Sequence, residues 1–240
     1  MIETNPNKAI LEIRPGTGGD EAGIFAFDLL RMYQRYASSK GWKFSILEEA
    51  HGGVGNLKSV TVEIEGFNAF KLLKNESGVH RVQRVPETER SGRIHTSTAT
   101  VSVLPASSPV EIEIKPQDLK FEAYRSSSKG GQNVQKVETA VRILHIPTGL
   151  MVTCQEQRFQ EQNRKKATEI LKAKLYQMMQ DQQKGTIDGL RADQIGSGDR
   201  SEKIKTYNFP QNRLTDHRIN KSWYNLEEVI NGKLDKVLGV

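Results

Sequence analysis

The residues best equipped for chemistry lie in one short run, "SSSKGGQN", Ser126 to Asn133. Two adjacent glycines open backbone conformations closed to other residues. A lysine adds a cation, and a glutamine adds an amide that both donates and accepts. Taken alone, Gly and Ser read as a mobile loop. The usual protein-borne reagents are missing elsewhere. Gly16, Gly18 and Gly19 miss the dinucleotide pattern G-x-G-x-x-G because its third glycine would fall on Glu21, and acids beside the turn would repel a pyrophosphate. There is no P-loop and no G-x-S-x-G. His51, His80, His95, His145 and His217 include no pair at helical metal spacing. The single Cys154, inside the strand-like "GLMVTCQ", has no disulfide partner and reads as a small buried hydrophobe. Neither a metal nor a cofactor is expected. Any reaction must use backbone groups or groups supplied by a partner.

Charge narrows the partner. The 240-residue chain carries 35 Lys and Arg against 29 Asp and Glu, a net charge of +6. The excess gathers in "RVQRVPETERSGR" (81–93), "QNRKKATEILKAK" and "RSEKIKTYNFPQNRLTDHR". The last of these mixes Tyr207, Phe209 and His217 with cations, a combination that can neutralise phosphates and stack on bases. Three such stretches favour RNA. No apolar run approaches a membrane span, and "MIETNPNKAILEIRPG" lacks the basic-then-apolar order of a signal peptide, so a cytoplasmic protein that avoids membranes is expected.

The elements that must position these residues can be read from periodicity. "GTGGDEAGIFAFDLLRMYQRYASSKG" is a glycine turn followed by a helix with Ile24, Phe27 and Leu30 on an apolar face, Asp20 and Glu21 in its first turn and Gly41 as its stop. "WKFSILEEA" and "SVTVEIEG" read as a hairpin, and "FNAFKLLKN" as a short helix. "IHTSTATVSVLP" and "VEIEIKP" alternate with period two and predict strands. From Gln117 a second unit begins: strands in "LKFEAYR", "VRILHIP" and "LMVTCQ", then a helix from about Arg158 to Lys184 with Ala167, Ile170, Leu171, Leu175 and Met178 on one face and Gly185 past its end. "GTIDGLRADQIGSGDRSEK" reads as an exposed connection and "SWYNLEEVINGKLDKVL" as a final helical element. The fold class is α+β.

"SSSKGGQ", "GRIHTSTATVSVLP", Pro86-Glu87-Thr88, the Gly18-to-Glu21 helix tip and "KTYNFPQ" occur in the order and spacing of one family. The chain resembles bacterial-type class I peptide chain release factors, those of the release factor 1 kind, over essentially all of its length. The resemblance implies a helical domain ahead of the part that aligns with Met1, and further helix after the part that aligns with Val240. It also implies a codon-recognition domain over 1–114, a Gly-Gly-Gln catalytic domain over 115–192, and a switch segment with a C-terminal helical element over 193–240 that packs back on the reading domain.

The resemblance assigns roles as well. Gly130, Gly131 and Gln132 would enter the ribosomal peptidyl-transferase centre, where the Gln132 backbone N–H acts as an oxyanion-type donor during hydrolysis of peptidyl-tRNA. Ribosomal RNA and the tRNA supply the remaining groups, which would explain the missing protein base. Gly18 and Glu21 would meet the first base of an mRNA stop codon through backbone groups, Thr88 beside Pro86 the first two bases, and His95 would stack between the second and third. Gln83 and Thr96 would take the third base, each with a donor and an acceptor to offer adenine or guanine. Implied partners are the ribosome and a glutamine methyltransferase acting on Gln132, with the protein itself a monomer. Implied codons are UAA and UAG. A stop-codon-independent rescue hydrolase is the alternative, against which Gln83, Thr88 and His95 stand. Thr88 and Gln132 are 44 residues apart, an upper reach of roughly 150 Å at about 3.4 Å per residue, so the two sites can lie far apart.

Overall fold

The computed structural model describes residues 5–52, 56–86, 89, 91–106, 114–125, 137–196 and 198–239. Two compact units divide the chain, one formed by residues 1–108 with 187–240 and the other by 109–186.

The first unit is built on an eight-stranded sheet. In chain order it holds β1 (Lys8–Pro15), α1 (Asp20–Ser39), β2 (Lys43–His51), β3 (Leu57–Glu65), α2 (Ala69–Leu73), β4 (Gly78–Arg84) and β5 (His95–Pro105). The second unit follows with β6 (Leu119–Tyr124), β7 (Ala140–His145) and β8 (Leu150–Cys154). The helix α3 (Gln160–Ile195) then leads back to the first unit's β9 (Lys203–Asn208), β10 (Arg213–Asp216), β11 (Lys221–Tyr224), α4 (Leu226–Ile230) and α5 (Asp235–Leu238). The large sheet runs β11-β10-β9-β4-β5-β1-β3-β2. The β4–β9 pair is parallel and the other pairs are antiparallel. The expected hairpin is the β2–β3 pair.

Period two gives β3 its buried set of Leu57, Val60, Val62 and Ile64, and gives β1 Ala9, Leu11 and Ile13. These face α1. The helix buries Phe25, Leu29, Met32, Tyr33 and Tyr36, while Ile24 and Phe27 are only half-buried. Of the expected apolar face, Leu30 belongs to the core and Phe27 packs against it, so the stripe that meets the sheet is broader than expected. β5 is buried almost throughout because both faces are covered. Ala99, Val101 and Val103 belong to the main core. Ser102, on the opposite face, donates to Gln194 Oε1 at 2.8 Å, and the Thr98 hydroxyl reaches the Gly198 carbonyl at 3.4 Å.

Two expectations need correction here. The long helix runs to Ile195 rather than ending near Lys184, so the first part of the supposed exposed connection is helical. Its last turns are fixed to the sheet edge by Gln194, whose amide accepts from Val103 N–H and donates to Val103 C=O, both at 3.0 Å. Arg191 pairs with Glu12 beside it. A side-chain amide thus completes the ladder that β4 leaves open beyond Val101. "SWYN" is likewise strand, with only two short helices after it. "VEIEIKP" lies mostly outside the described residues, and its end enters a 3-10 turn at Pro116–Asp118.

In the second unit, β6-β7-β8 form an antiparallel sheet. One face packs Val141, Ile143, Val152 and Cys154 against Ala167, Leu171 and Leu175 of α3.

Candidate functional site

Five of the residues singled out in the sequence meet at one end of the large sheet. In the β4–β5 register Gln83 stands opposite Thr96, and Arg84 opposite His95. Ser97, next along β5, receives the helix tip. A Cβ on Gly18 would lie 2.4 Å from Ser97 Oγ, and Gly18 has φ +143°, so only glycine lets this turn close on the strand. Gly19 then starts α1 with no side-chain cap; Ala22 N–H turns back to the Gly19 carbonyl at 3.1 Å, and the Asp20 and Glu21 N–H groups have no partner among the described residues.

Glu21 reaches the same place from beneath. Its carboxylate is 4% exposed and accepts from Arg84 Nε at 2.5 Å, while Arg84 Nη1 donates to Asp28 at 2.7 Å. Burial opposes the Arg84 charge, but the two carboxylates outweigh it and hold the guanidinium more firmly protonated than usual. Arg84 also lies over the Phe209 ring, 5.2 Å from its centroid. One side chain thereby ties helix, strand and the turn after β9 into a single support.

His95 is half-exposed, and its Nε2 sits 2.8 Å from Glu89 Oε2. The Ser91 hydroxyl and N–H, with His95 nearby, hold the Glu89 carboxyl below its ordinary range. Pro86 is buried, and its carbonyl accepts from Glu89 N–H at 3.0 Å. Thr88, between Pro86 and Glu89 in sequence, is outside the described residues. Gln83 has a partner that the sequence did not suggest: its Oε1 accepts from Asn208 Nδ2 at 3.1 Å.

The segment 126–136, with Gly130, Gly131 and Gln132, also lies outside the described residues. Its roots do not. Tyr124 pairs with Ala140 across β6 and β7, and Arg142 lies over the Tyr124 ring. Asn163, fully buried on α3, donates to Thr139 C=O at 2.8 Å and to Gln157 C=O at 2.9 Å, and accepts from Gln157 N–H at 2.8 Å. One satisfied amide therefore fixes where the chain leaves this segment and where α3 begins.

Some residues expected to face RNA do not. Tyr207 is 1% exposed, packs on Phe25 and donates to His80 Nδ1 at 3.1 Å. Lys205 is 1% exposed and ion-paired with Glu76. His217 is only partly buried, with its ring bonded to Thr206 Oγ1 at 2.7 Å. An aromatic or basic residue in a cation-rich stretch carries no sequence signal of which face of its strand it will occupy.

What remains at the sheet end is a set of neutral donors and acceptors beside a half-exposed ring, suited to base edges of single-stranded RNA. The PCRF domain family matches residues 2–101, and the RF-1 domain family matches 108–218. Peptide chain release factor 1 of Thermotoga maritima is 56% identical over 232 residues, covering 97% of this chain and 68% of that protein. The chain belongs to the class I peptide chain release factor family. Peptide chain release factor 1 of Aquifex aeolicus is also 56% identical, over 99% of this chain and 67% of its own length. RF2 of Thermus thermophilus superposes with a TM-score of 0.58 at 36% identity, covering 97% of this chain and 66% of that one. This release factor thus spans about two thirds of the length of its relatives, and its function is translation termination. No helix among the described residues is long and apolar enough to cross a membrane.

Proposed function

We propose that this chain reads UAA and UAG with the sheet end just described and releases the peptide through Gln132. The observation that carries the reading is the register placing Gln83 opposite Thr96 and Arg84 opposite His95, with Gly18 closed on Ser97 and Glu21 held by Arg84. These elements bring residues far apart in sequence together at one end of the sheet, which suits a splayed codon. The first unit is accordingly the codon reader and the second the catalytic unit. Free N–H groups at the α1 tip suit the carbonyl oxygens of a first uridine. Thr88 contacts the first two bases and His95 stacks between the second and third. Gln83 and Thr96 meet the third on the edge carrying N7 and the 6-substituent, where adenine and guanine differ.

In the chemical step, water adds to the ester carbonyl of peptidyl-tRNA, the bond to the ribose 3′ oxygen breaks, and that oxygen takes up a proton. The Gln132 N–H stabilises charge developing on oxygen, and ribosomal RNA completes the site. A cytoplasmic monomer modified on Gln132 by a glutamine methyltransferase accords with this reading. Stop-independent rescue is not favoured, because the curated relatives are named release factor 1. The test is peptide release from ribosomes programmed with UAA, UAG, UGA, a sense codon or an empty site. Release confined to UAA and UAG is expected; comparable release on UGA or an empty site overturns the proposal.

A further inference from the structure

The Gln83 carboxamide has two faces to offer a base, and its surroundings choose between them. Asn208 ends β9 and stands beside Gln83 in the parallel β4–β9 register. Phe209 N–H donates to the Gln83 carbonyl at 3.0 Å, which fixes the backbones together. Asn208 Oδ1 accepts from the backbone N–H of Gln211 at 2.9 Å. A backbone N–H can only donate, so Asn208 must turn its oxygen to Gln211 and its NH2 to Gln83. Gln83 must then answer with its own oxygen, and the 3.1 Å contact to Oε1 is that bond. The remaining group of Gln83, its NH2, has no partner among the described residues. Thr96, opposite Gln83 on the other side, carries a hydroxyl that can rotate to donate or accept.

We infer that Asn208 is a positioning residue for third-base reading: it locks the Gln83 carboxamide so that Gln83 presents a donor to the codon and leaves adaptation between adenine and guanine to Thr96. This rests on the proposal that Gln83 and Thr96 meet the third base. Guanine shows two acceptors on the edge in question, N7 and O6, whereas adenine shows the N7 acceptor and the 6-amino donor. A fixed donor finds an acceptor on either purine. Fixed the other way, Gln83 would present an acceptor, which guanine cannot satisfy there and the adenine amino group can.

Asn208→Asp makes that reversal with almost no change of shape. The introduced carboxylate still accepts from Gln211 N–H, but toward Gln83 it can only accept, so Gln83 must turn its NH2 inward and its oxygen to the codon. The experiment measures kcat/KM for peptide release on UAA and UAG ribosomes for the unmodified chain, Asn208→Asp, Gln83→Ala and the double variant. Asn208→Asp should lower the UAG-to-UAA ratio by about 10-fold, within the range one good base contact contributes to discrimination. In the Gln83→Ala background the same change should leave the ratio untouched, since its effect runs through Gln83. UAA release serves as the check on folding. A merely structural role would lower both codons together; an unchanged ratio in Asn208→Asp, with or without loss of overall rate, overturns the inference while leaving Gln83 as a reader. If Gln83→Ala itself alters release on neither codon, the underlying reading fails and the inference with it.

Discussion

The unit that holds Gln83 and the unit that holds Gln132 are built to different standards. Among the described residues, 26 buried hydrophobic residues form the core of the first and seven that of the second. The polar interiors differ in the same sense. The first unit buries Glu76, His80 and Lys205 in one connected group, together with Tyr33 and Tyr207. In the second, Asn163 is the sole buried polar residue among those described. A reader that distinguishes bases by hydrogen bonds must hold donors and acceptors in place before the codon arrives. On the proposed reading, an arm that delivers one backbone N–H into a site made by RNA needs only a firm root for its loop, and Asn163 fixes the end of the segment after residue 136.

The sharpest way to break this comparison is to unfold one unit and watch the other. Lys205→Met leaves the Glu76 carboxylate buried with Tyr33 as its remaining side-chain donor, and orphaning a buried charge typically costs about 3–5 kcal/mol. Urea unfolding should show that loss. Hydrogen exchange should show amides of β1, β3, β4 and β5 opening sooner, with β6–β8 protected as before. Loss of protection in β6–β8 at the same urea concentration would mean the units do not unfold separately.

A second contrast is functional. Gln132→Pro deletes the N–H assigned to catalysis, and loss of one oxyanion-type donor costs about 100- to 1,000-fold in rate, or about 2.7–4 kcal/mol. Binding to stop-programmed ribosomes should be unchanged. Thr88→Ala should do the reverse, weakening codon affinity by about 1–3 kcal/mol, the scale of a hydrogen bond lost from a desolvated partner, with the rate at saturation retained. Gln132→Ala, which keeps the N–H, should release much faster than the proline variant. Normal release by Gln132→Pro sinks the backbone-donor assignment.

How far these regions could be read from the chain follows from what periodicity carries. Periodicity located β3 and the small sheet, because each buries one face against its own unit and the pattern is local; β5 was located too, although it is covered on both faces, and β1 was not read as a strand. The α1 stripe was read in part: Leu30 is in the core, but Ile24 and Phe27 are as apolar as Phe25 and Leu29, and only the sheet decides which are fully covered. Gly185 suggested a helix end. It sits inside α3, which continues because Arg191 and Gln194 find Glu12 and Val103, partners more than 90 positions away. Long-range pairing hid Asn208 in the same way: its distance from Gln83 in sequence is 125 residues. Cations misled most. Arg84, Lys205 and Arg218 count toward a basic, RNA-seeking chain, yet Arg84 braces Glu21, Lys205 is buried on Glu76, and Arg218 bonds Asp216 and the Asn75 carbonyl.

A last contrast uses pH to probe the buried group that sets the first unit apart. His80 donates from Nε2 to the Glu76 carbonyl at 2.8 Å and accepts at Nδ1 from Tyr207, so both ring nitrogens are satisfied in the neutral form. Burial pushes its pKa down to about 4; the Glu76 charge pulls upward and Lys205 pushes down again. In the unfolded chain the ring titrates near 6.5. Between those values the unfolded state binds the proton and the folded state does not, so stability is full above about pH 6.5 and falls as the pH drops toward 4, by up to about 1.4 kcal/mol per pH unit. Burial raises the Glu76 carboxyl, but Lys205, His80 and Tyr33 together hold it below its ordinary value, so its own loss of stability comes only below about pH 4.5 and leaves the window above to His80 and to His217, whose ring is also held below its ordinary value by burial. His80→Gln can keep a donor toward Glu76 and an acceptor toward Tyr207 without titrating. Urea midpoints between pH 7 and 4.5 should therefore slope more steeply for the unmodified chain than for His80→Gln, and hydrogen exchange should assign the difference to β4 and β9. An equal slope in both proteins would mean that some other group governs the acid limb and that the buried cluster does not distinguish the two units in this way.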